Sequence, residues 1–314
     1  MDNYEKQPLS EKQIELWQQQ LFAESGPFYH LHTAPLDRIL FETDRERKQA
    51  VNLMGILSSD IEILAYQIMS NHLHEILRGE KDRCIAYYRS FFDRLKQYLS
   101  RHGRPGVLAK PKFALTPITS LKQFRDEVAY VLRNAFVVRT DVNPLSDPWS
   151  SGFLYYNPLL RLIPVRRASE LTVRERRALT ASMDGSIRDG LTVSGDCIFP
   201  GSFVNYRLVE SLFPSARKFM FWLFKNVESQ VEAALHLGEK PVLSDEELWT
   251  AVCGICRSEY FTDRPADLKD EQRVQLAVRL KNKYGASNAQ LTRILRLPPK
   301  MVDALFPLSA NLQR

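Results

Sequence analysis

A chain of 314 residues, 44% hydrophobic and 25% charged, has the composition of a folded globular protein long enough for more than one core. Four scattered cysteines (84, 197, 253, 256) exclude a disulfide scaffold, and the most apolar cluster, FMFWLF at 219–224, is too short to span a bilayer, so no membrane partner is expected. A net charge of +6 leans toward a polyanionic partner, and the opening MDNYEKQPLSEKQ lacks the regions of a signal peptide, which predicts a cytoplasmic protein.

Residues 1–24 read as an N-terminal arm. PFYHLHTA at 27–34 reads as a short strand between Pro27 and Pro35, and residues 44–58 read as a helix with a charged first turn. IEILAYQIM at 61–69 is rich in strand formers, Ser70 and Asn71 suit a tight turn, and His72 to Leu77 returns as a second strand. Four of the six histidines therefore lie in two HLH triplets, 30–32 and 72–74. Residues two apart on a strand share a face, so His72, His74 and Ile76 fall on one side and Leu73, Glu75 and Leu77 on the other.

A long helix is expected over 82–101, with Ile85, Tyr88, Phe92, Leu95 and Leu99 in its buried stripe, and then a loop rich in Pro, Gly and Lys at 102–112. Ser120 and Gln123 form a capping box for a helix running to about Val138. Its apolar stripe is Phe124, Val128, Leu132 and Ala135. Tyr130 and Asn134, one turn apart, fall away from that stripe, so the tyrosine must cover another surface, meet solvent or do chemistry.

The run AYQIMSNHLHEIL, the helical Tyr-x-x-x-Asn at 130–134 and DPWSSGFLYY at 147–156, in that order, resemble the REP-associated tyrosine transposases. These are a branch of the single-tyrosine HUH transposases, named for His, hydrophobic, His. The resemblance covers residues 25–158 and implies a ferredoxin-like antiparallel sheet with helices on one face. It further implies His72, His74 and Asn134 as ligands of Mg²⁺ or Mn²⁺, and Tyr130 as the nucleophile. The implied reaction is cleavage and strand transfer on single-stranded DNA beside hairpins, through a 5′-phosphotyrosine. Both monomeric and homodimeric arrangements of such a site occur.

Two departures motivate an alternative, a domesticated, non-catalytic DNA-binding protein. Glu75 stands where the family usually has leucine, and Ala135 where it commonly has proline. A rolling-circle or relaxase-type initiator uses similar chemistry, but the His74-to-Tyr130 spacing and the PWSS segment speak against it. His30 and His32 read as structural, with His30 a candidate neighbour of the site or the DNA, and Tyr87 and Tyr88 read as packing residues. Cys253 and Cys256 have no second pair at zinc spacing and read as packing residues.

Residues 159–245 form a basic and helical middle region, with an aromatic core expected at Phe219, Phe221, Trp222 and Phe224. Residues 246–314 read as an all-helical C-terminal domain. Leu276, Leu280 and Tyr284 line one helix that ends at Gly285; Ser287 and Gln290 cap a second, and Pro299 begins a third that buries Val302 and Leu305. From Arg257 to Arg314 eleven Lys and Arg face six Asp and Glu. The arrangement resembles a helix-turn-helix able to contact duplex DNA through Arg293, Arg296 and Lys300. The expected class is therefore α+β, followed by a helical region.

Overall fold

The computed structural model describes residues 9–33, 39–108, 113–138, 143–225, 227–238, 241, 243 and 245–307. Residues 1–8 of the expected arm, Ala34 of the expected first strand and 109–112 of the expected loop lie outside the described residues. The class is α+β, as expected, and the chain divides into two compact units, 1–135 with 141–220, and 136–140 with 221–314.

The first unit is built from α1 (Glu11–Ser25), β1 (Phe28–Thr33), α2 (Asp44–Leu57), β2 (Glu62–Ile68), β3 (Leu73–Arg78), α3 (Lys81–Arg101), β4 (Phe113–Ile118) and, up to residue 135, α4 (Leu121–Val138). The four strands form one antiparallel sheet in the order β2-β3-β1-β4. β4, which contains Pro117, lies at an edge, where a missing N–H is tolerated.

The helices do not stay on one face of this sheet. Leu31, Leu73 and Leu77 pack with α2 and α3 in the main apolar core, whereas α1 and α4 lie over the opposite face, where Phe22 stacks on Phe28 and Phe124 packs against both. Burial on both sides leaves β1 and β3 almost wholly enclosed.

The expected arm contains helix α1, opened by a capping box between Ser10 and Gln13. Its own pattern is poor because polar groups share its docking face with Phe22: buried Arg125 of α4 bonds Glu15 (2.9 Å) and Gln18 (2.8 Å), and its Nε donates to the Leu212 carbonyl (2.8 Å).

The first unit runs past the boundary expected at residue 158. It takes in β5 (Arg166–Arg167), α5 (Val173–Thr180), β6 (Thr192–Ser194), β7 (Cys197–Ile198) and α6 (Tyr206–Leu212), because Leu171, Leu179, Val193, Ile198 and Phe203 join the α2–α3 core. Gly55 admits Phe203 against α2; a Cβ there would meet the ring at 2.8 Å. The segment α7 (Ala216–Lys225) departs from the expected aromatic core, since Phe219 is buried against Tyr155, Tyr156 and Phe213 but Phe221 is 47% exposed.

The second unit contains α8 (Val227–His236), α9 (Asp245–Glu259), α10 (Asp270–Lys283), α11 (Asn288–Leu295) and α12 (Pro299–Leu305). Leu248, Val252, Cys256, Leu276, Leu280, Tyr284, Leu291, Leu295 and Val302 form its core. The Ser287–Gln290 capping box is present and Pro299 opens α12, but Leu305 is exposed. Gly285 at φ +65° ends the α10 segment; a side chain there would strike the Pro241 carbonyl. Among the described residues no helix is long and apolar enough to cross a membrane.

Candidate active site

The face of the sheet beneath α4 is polar. Phe28, His30 and His32 alternate onto it from β1, with Gln67 from β2 and His74 and Ile76 from β3; His32 and Gln67 are the cross-strand neighbours of His74. A polar sheet face needs a polar cover, and α4 supplies Glu127, Tyr130 and Asn134. The apolar stripe of α4 was expected to be its packing face. Phe124, Val128 and Leu132 are buried, but so are Glu127, Tyr130 and Asn134, because this helix is enclosed on more than one side.

The fold brings three of the four candidate residues into measured proximity. The Tyr130 ring lies 5.7 Å from His74, edge-on at 88°, and the His72 and His74 rings are 5.0 Å apart. Asn134 is one helical turn beyond Tyr130 and 6% exposed, and its Nδ2 has no hydrogen-bond partner among the described residues. His72 sits just before β3, half-buried, with its Nδ1 2.8 Å from Asn71 Oδ1. A side-chain oxygen accepts, so the His72 proton resides on Nδ1.

His30 and His32, read from sequence as structural, belong to the same cluster. His32 stacks on His74 at 5.9 Å and 11°, and His30 lies 5.3 Å from His74 and 6.3 Å from Tyr130. His30 Nδ1 meets Glu127 Oε2 at 3.1 Å and its Nε2 meets His74 Nδ1 at 3.1 Å. The repeated HLH triplet was the visible signal. What sequence alone did not supply is the pairing of β1 with β3, which sets His32 opposite His74. Arg133, buried beside Asn134 on α4, is a further cation of this helix; burial lowers its pKa to about 10, so it stays charged at neutral pH.

The DPWSS segment extends the sheet beyond β2. Trp149 O accepts from Ile68 N (2.9 Å), Ser151 N donates to Tyr66 O (3.0 Å), and Ser151 Oγ accepts from Tyr66 N (2.9 Å). Asp147 Oδ2 accepts from Gln67 Nε2 at 2.8 Å and so fixes the amide of the residue opposite His74. Gly152 is required by a close approach, since a Cβ there would lie 2.0 Å from the Pro144 carbonyl oxygen.

Glu75 points to the other side of the sheet. It is 1% exposed and accepts from Tyr87 Oη at 3.1 Å; burial raises its pKa to about 8, more than offsetting the lowering by that bond. Burial also raises the Tyr87 and Tyr88 phenols, and Tyr87 faces Glu75 and not the imidazoles, which removes it from the cluster. A cavity of about 480 Å³ between α2, α5 and β6 holds none of the candidate residues; its Lys48 and Arg166 are paired with Asp196 and Glu175.

In the second unit, Arg293 is exposed but held by two bonds to Asp245 (2.7 and 2.9 Å). Arg296 and Lys300 are exposed, Arg296 at φ +52° closing α11. Among the described residues no group of three His, Cys, Asp or Glu is arranged to hold a metal. Cys256 lies in the core of this unit.

No family model matches the chain, and no curated relative matches it. Among solved structures, it is similar to one described as a REP-associated tyrosine transposase bound to a REP hairpin, at 17% identity and a TM-score of 0.32, over 51% of this chain and 88% of that one.

Proposed function

We propose that the chain is a metal-dependent enzyme that cleaves and rejoins single-stranded DNA beside hairpins, with Tyr130 as nucleophile and His72, His74 and Asn134 as metal ligands. The observation that carries this reading is the enclosure of Tyr130 edge-on to His74, with His72 alongside, on the polar sheet face beneath α4. The β-α-β-β-α-β order of the sheet agrees with the ferredoxin-like plan that the sequence resemblance implies.

The donor set fits a divalent cation. His72 is anchored through Nδ1 by Asn71, and His74 Nδ1 by His30, so Nε2 is the ligand atom of each. Asn134, buried one turn beyond Tyr130, carries the amide oxygen that would be the third donor. Two imidazoles and one amide suit Mn²⁺ better than Mg²⁺, which prefers an all-oxygen shell. When bound, such an ion polarises the scissile phosphate and offsets its developing charge.

Tyr130 is fixed by burial, which supplies orientation to a phenol that is a poor nucleophile at its usual pKa of about 10. Its Oη forms a bond to phosphorus as the P–O3′ bond breaks, and the phenolic proton is balanced by the one gained at the released 3′-hydroxyl. Asn71 and His72, the half-exposed members at the β2–β3 turn, mark the side from which a strand reaches the tyrosine. Rejoining is the reverse reaction with a different 3′-hydroxyl, so no ATP is needed. The second unit is assigned duplex contacts through Arg296 and Lys300, with Arg293 already engaged by Asp245.

The test is a denaturing gel of the chain incubated with hairpin-bearing single strands and Mn²⁺. A covalent adduct is expected with the wild type and none with Tyr130→Phe or with chelator. Tight binding with no adduct under any metal selects the non-catalytic alternative.

A further inference from the structure

We infer that Glu127 and His30 are positioning residues that fix the tautomer of His74, placing its lone pair on Nε2. Three elements meet to make the chain: Glu127 on α4, His30 on β1 and His74 on β3, all wholly buried. A carboxylate only accepts, so the 3.1 Å contact between Glu127 Oε2 and His30 Nδ1 puts the hydrogen on Nδ1. The neutral His30 ring then carries its lone pair on Nε2. At 3.1 Å from His74 Nδ1, that lone pair receives a hydrogen from His74, whose own lone pair is left on Nε2.

The direction of this relay is locked from outside. Gln123 Oε1 accepts from Thr119 N at 2.9 Å, which fixes the amide so that Gln123 Nε2 donates to Glu127 Oε1 at 2.7 Å. Both oxygens of Glu127 are therefore called on to accept. A glutamine of the same shape has only one oxygen. In Glu127→Gln the oxygen is claimed by the fixed Gln123 amide, and the new NH₂ faces His30. His30 must then accept at Nδ1 and donate from Nε2, and His74 must accept at Nδ1 and carry its hydrogen on Nε2. An isosteric change two residues removed from the ligand atom thus blocks it.

The consequence for metal affinity rests on the ligand assignment proposed above, whereas the tautomer does not. The experiment is nitrogen NMR of the full chain with ¹⁵N-labelled histidine, free of metal, at about pH 8, above the usual imidazole pKa of about 6.5. Wild-type His74 is expected protonated at Nδ1 and bare at Nε2. Glu127→Gln is expected to reverse this and, by calorimetry, to lower Mn²⁺ affinity about 10- to 100-fold, the scale of outer-shell losses. Glu127→Asp, which keeps two accepting oxygens, is expected to retain the wild-type pattern.

Hydrogen on Nε2 of His74 in the wild type, as a doubly protonated His30 would give, overturns the inference. So does a Glu127→Gln chain with unchanged His74 signals. The wild-type spectrum decides by itself if the variant does not fold. A wild-type chain with the expected tautomer that takes up no Mn²⁺ supports the relay and removes the metal reading on which the affinity loss depends.

Discussion

His74 and Glu75 are neighbours in sequence and face opposite layers, and their fates show what one residue's step along a strand decides. Glu75 departs from the pattern of the transposases that the sequence resembles and, with Ala135, motivates the non-catalytic alternative, yet it lies on the α3 side, bonded to Tyr87. Its consequence is for stability. With a folded pKa of about 8, above the usual carboxylate value, the native chain holds a proton that the unfolded chain releases. Stability is therefore full below the unfolded pKa and falls as pH rises toward about 8, by an amount on the order of a few kcal/mol. In urea titrations, Glu75→Gln is expected to match wild type near pH 4 and to exceed it increasingly up to about pH 8. A parallel pH dependence in both chains would show that Glu75 is ionised in the fold. At the same scale, His30 and His32 were readable as a repeated triplet, and His30 as a candidate neighbour of the site, but their pairing with His74 was not, because alternation gives the face of a strand and not its neighbour.

Among elements, α4 was legible in its start and length, from Ser120, Gln123 and the apolar spacing. Its orientation was not, because periodicity assumes that the covered surface is apolar, and here the covered surface is a row of imidazoles. α1 escaped for a related reason: Glu15 and Gln18, docked on Arg125, interrupt the apolar face that Phe22 belongs to. The PWSS segment was recognisable as a motif, while its work as an added edge beside β2 emerged from backbone pairing. Ser151→Ala is expected to cost about 1 to 3 kcal/mol in urea unfolding, since it removes the hydroxyl that accepts from the Tyr66 N–H in a buried position. A change under about 0.5 kcal/mol would mean that this pairing adds little.

At the scale of the whole molecule, the proposed strand cleavage and the proposed duplex binding fall in different units, so they should separate. Arg296→Gln with Lys300→Glu is expected to weaken binding to duplex DNA and to reduce the salt slope by about one for each phosphate that is no longer neutralised. Adduct formation on single strands, if it depends on the first unit alone, should persist. Equal impairment of both would assign the basic C-terminal residues to strand cleavage as well.

Local pattern determined the strands and helices from 27 to 138 apart from β4, the capped helices after 270, and the candidate quartet of His72, His74, Tyr130 and Asn134, since each rests on spacing within a few residues or on an ordered motif. Tertiary structure decided that both sheet faces are covered, that residues 159–220 complete the first core, and that His30 and Glu127 stand behind His74. Those relations join residues 44 and 97 positions apart, and the hydrogen bonds that make them exist only once strand pairing and helix docking have removed the groups from water.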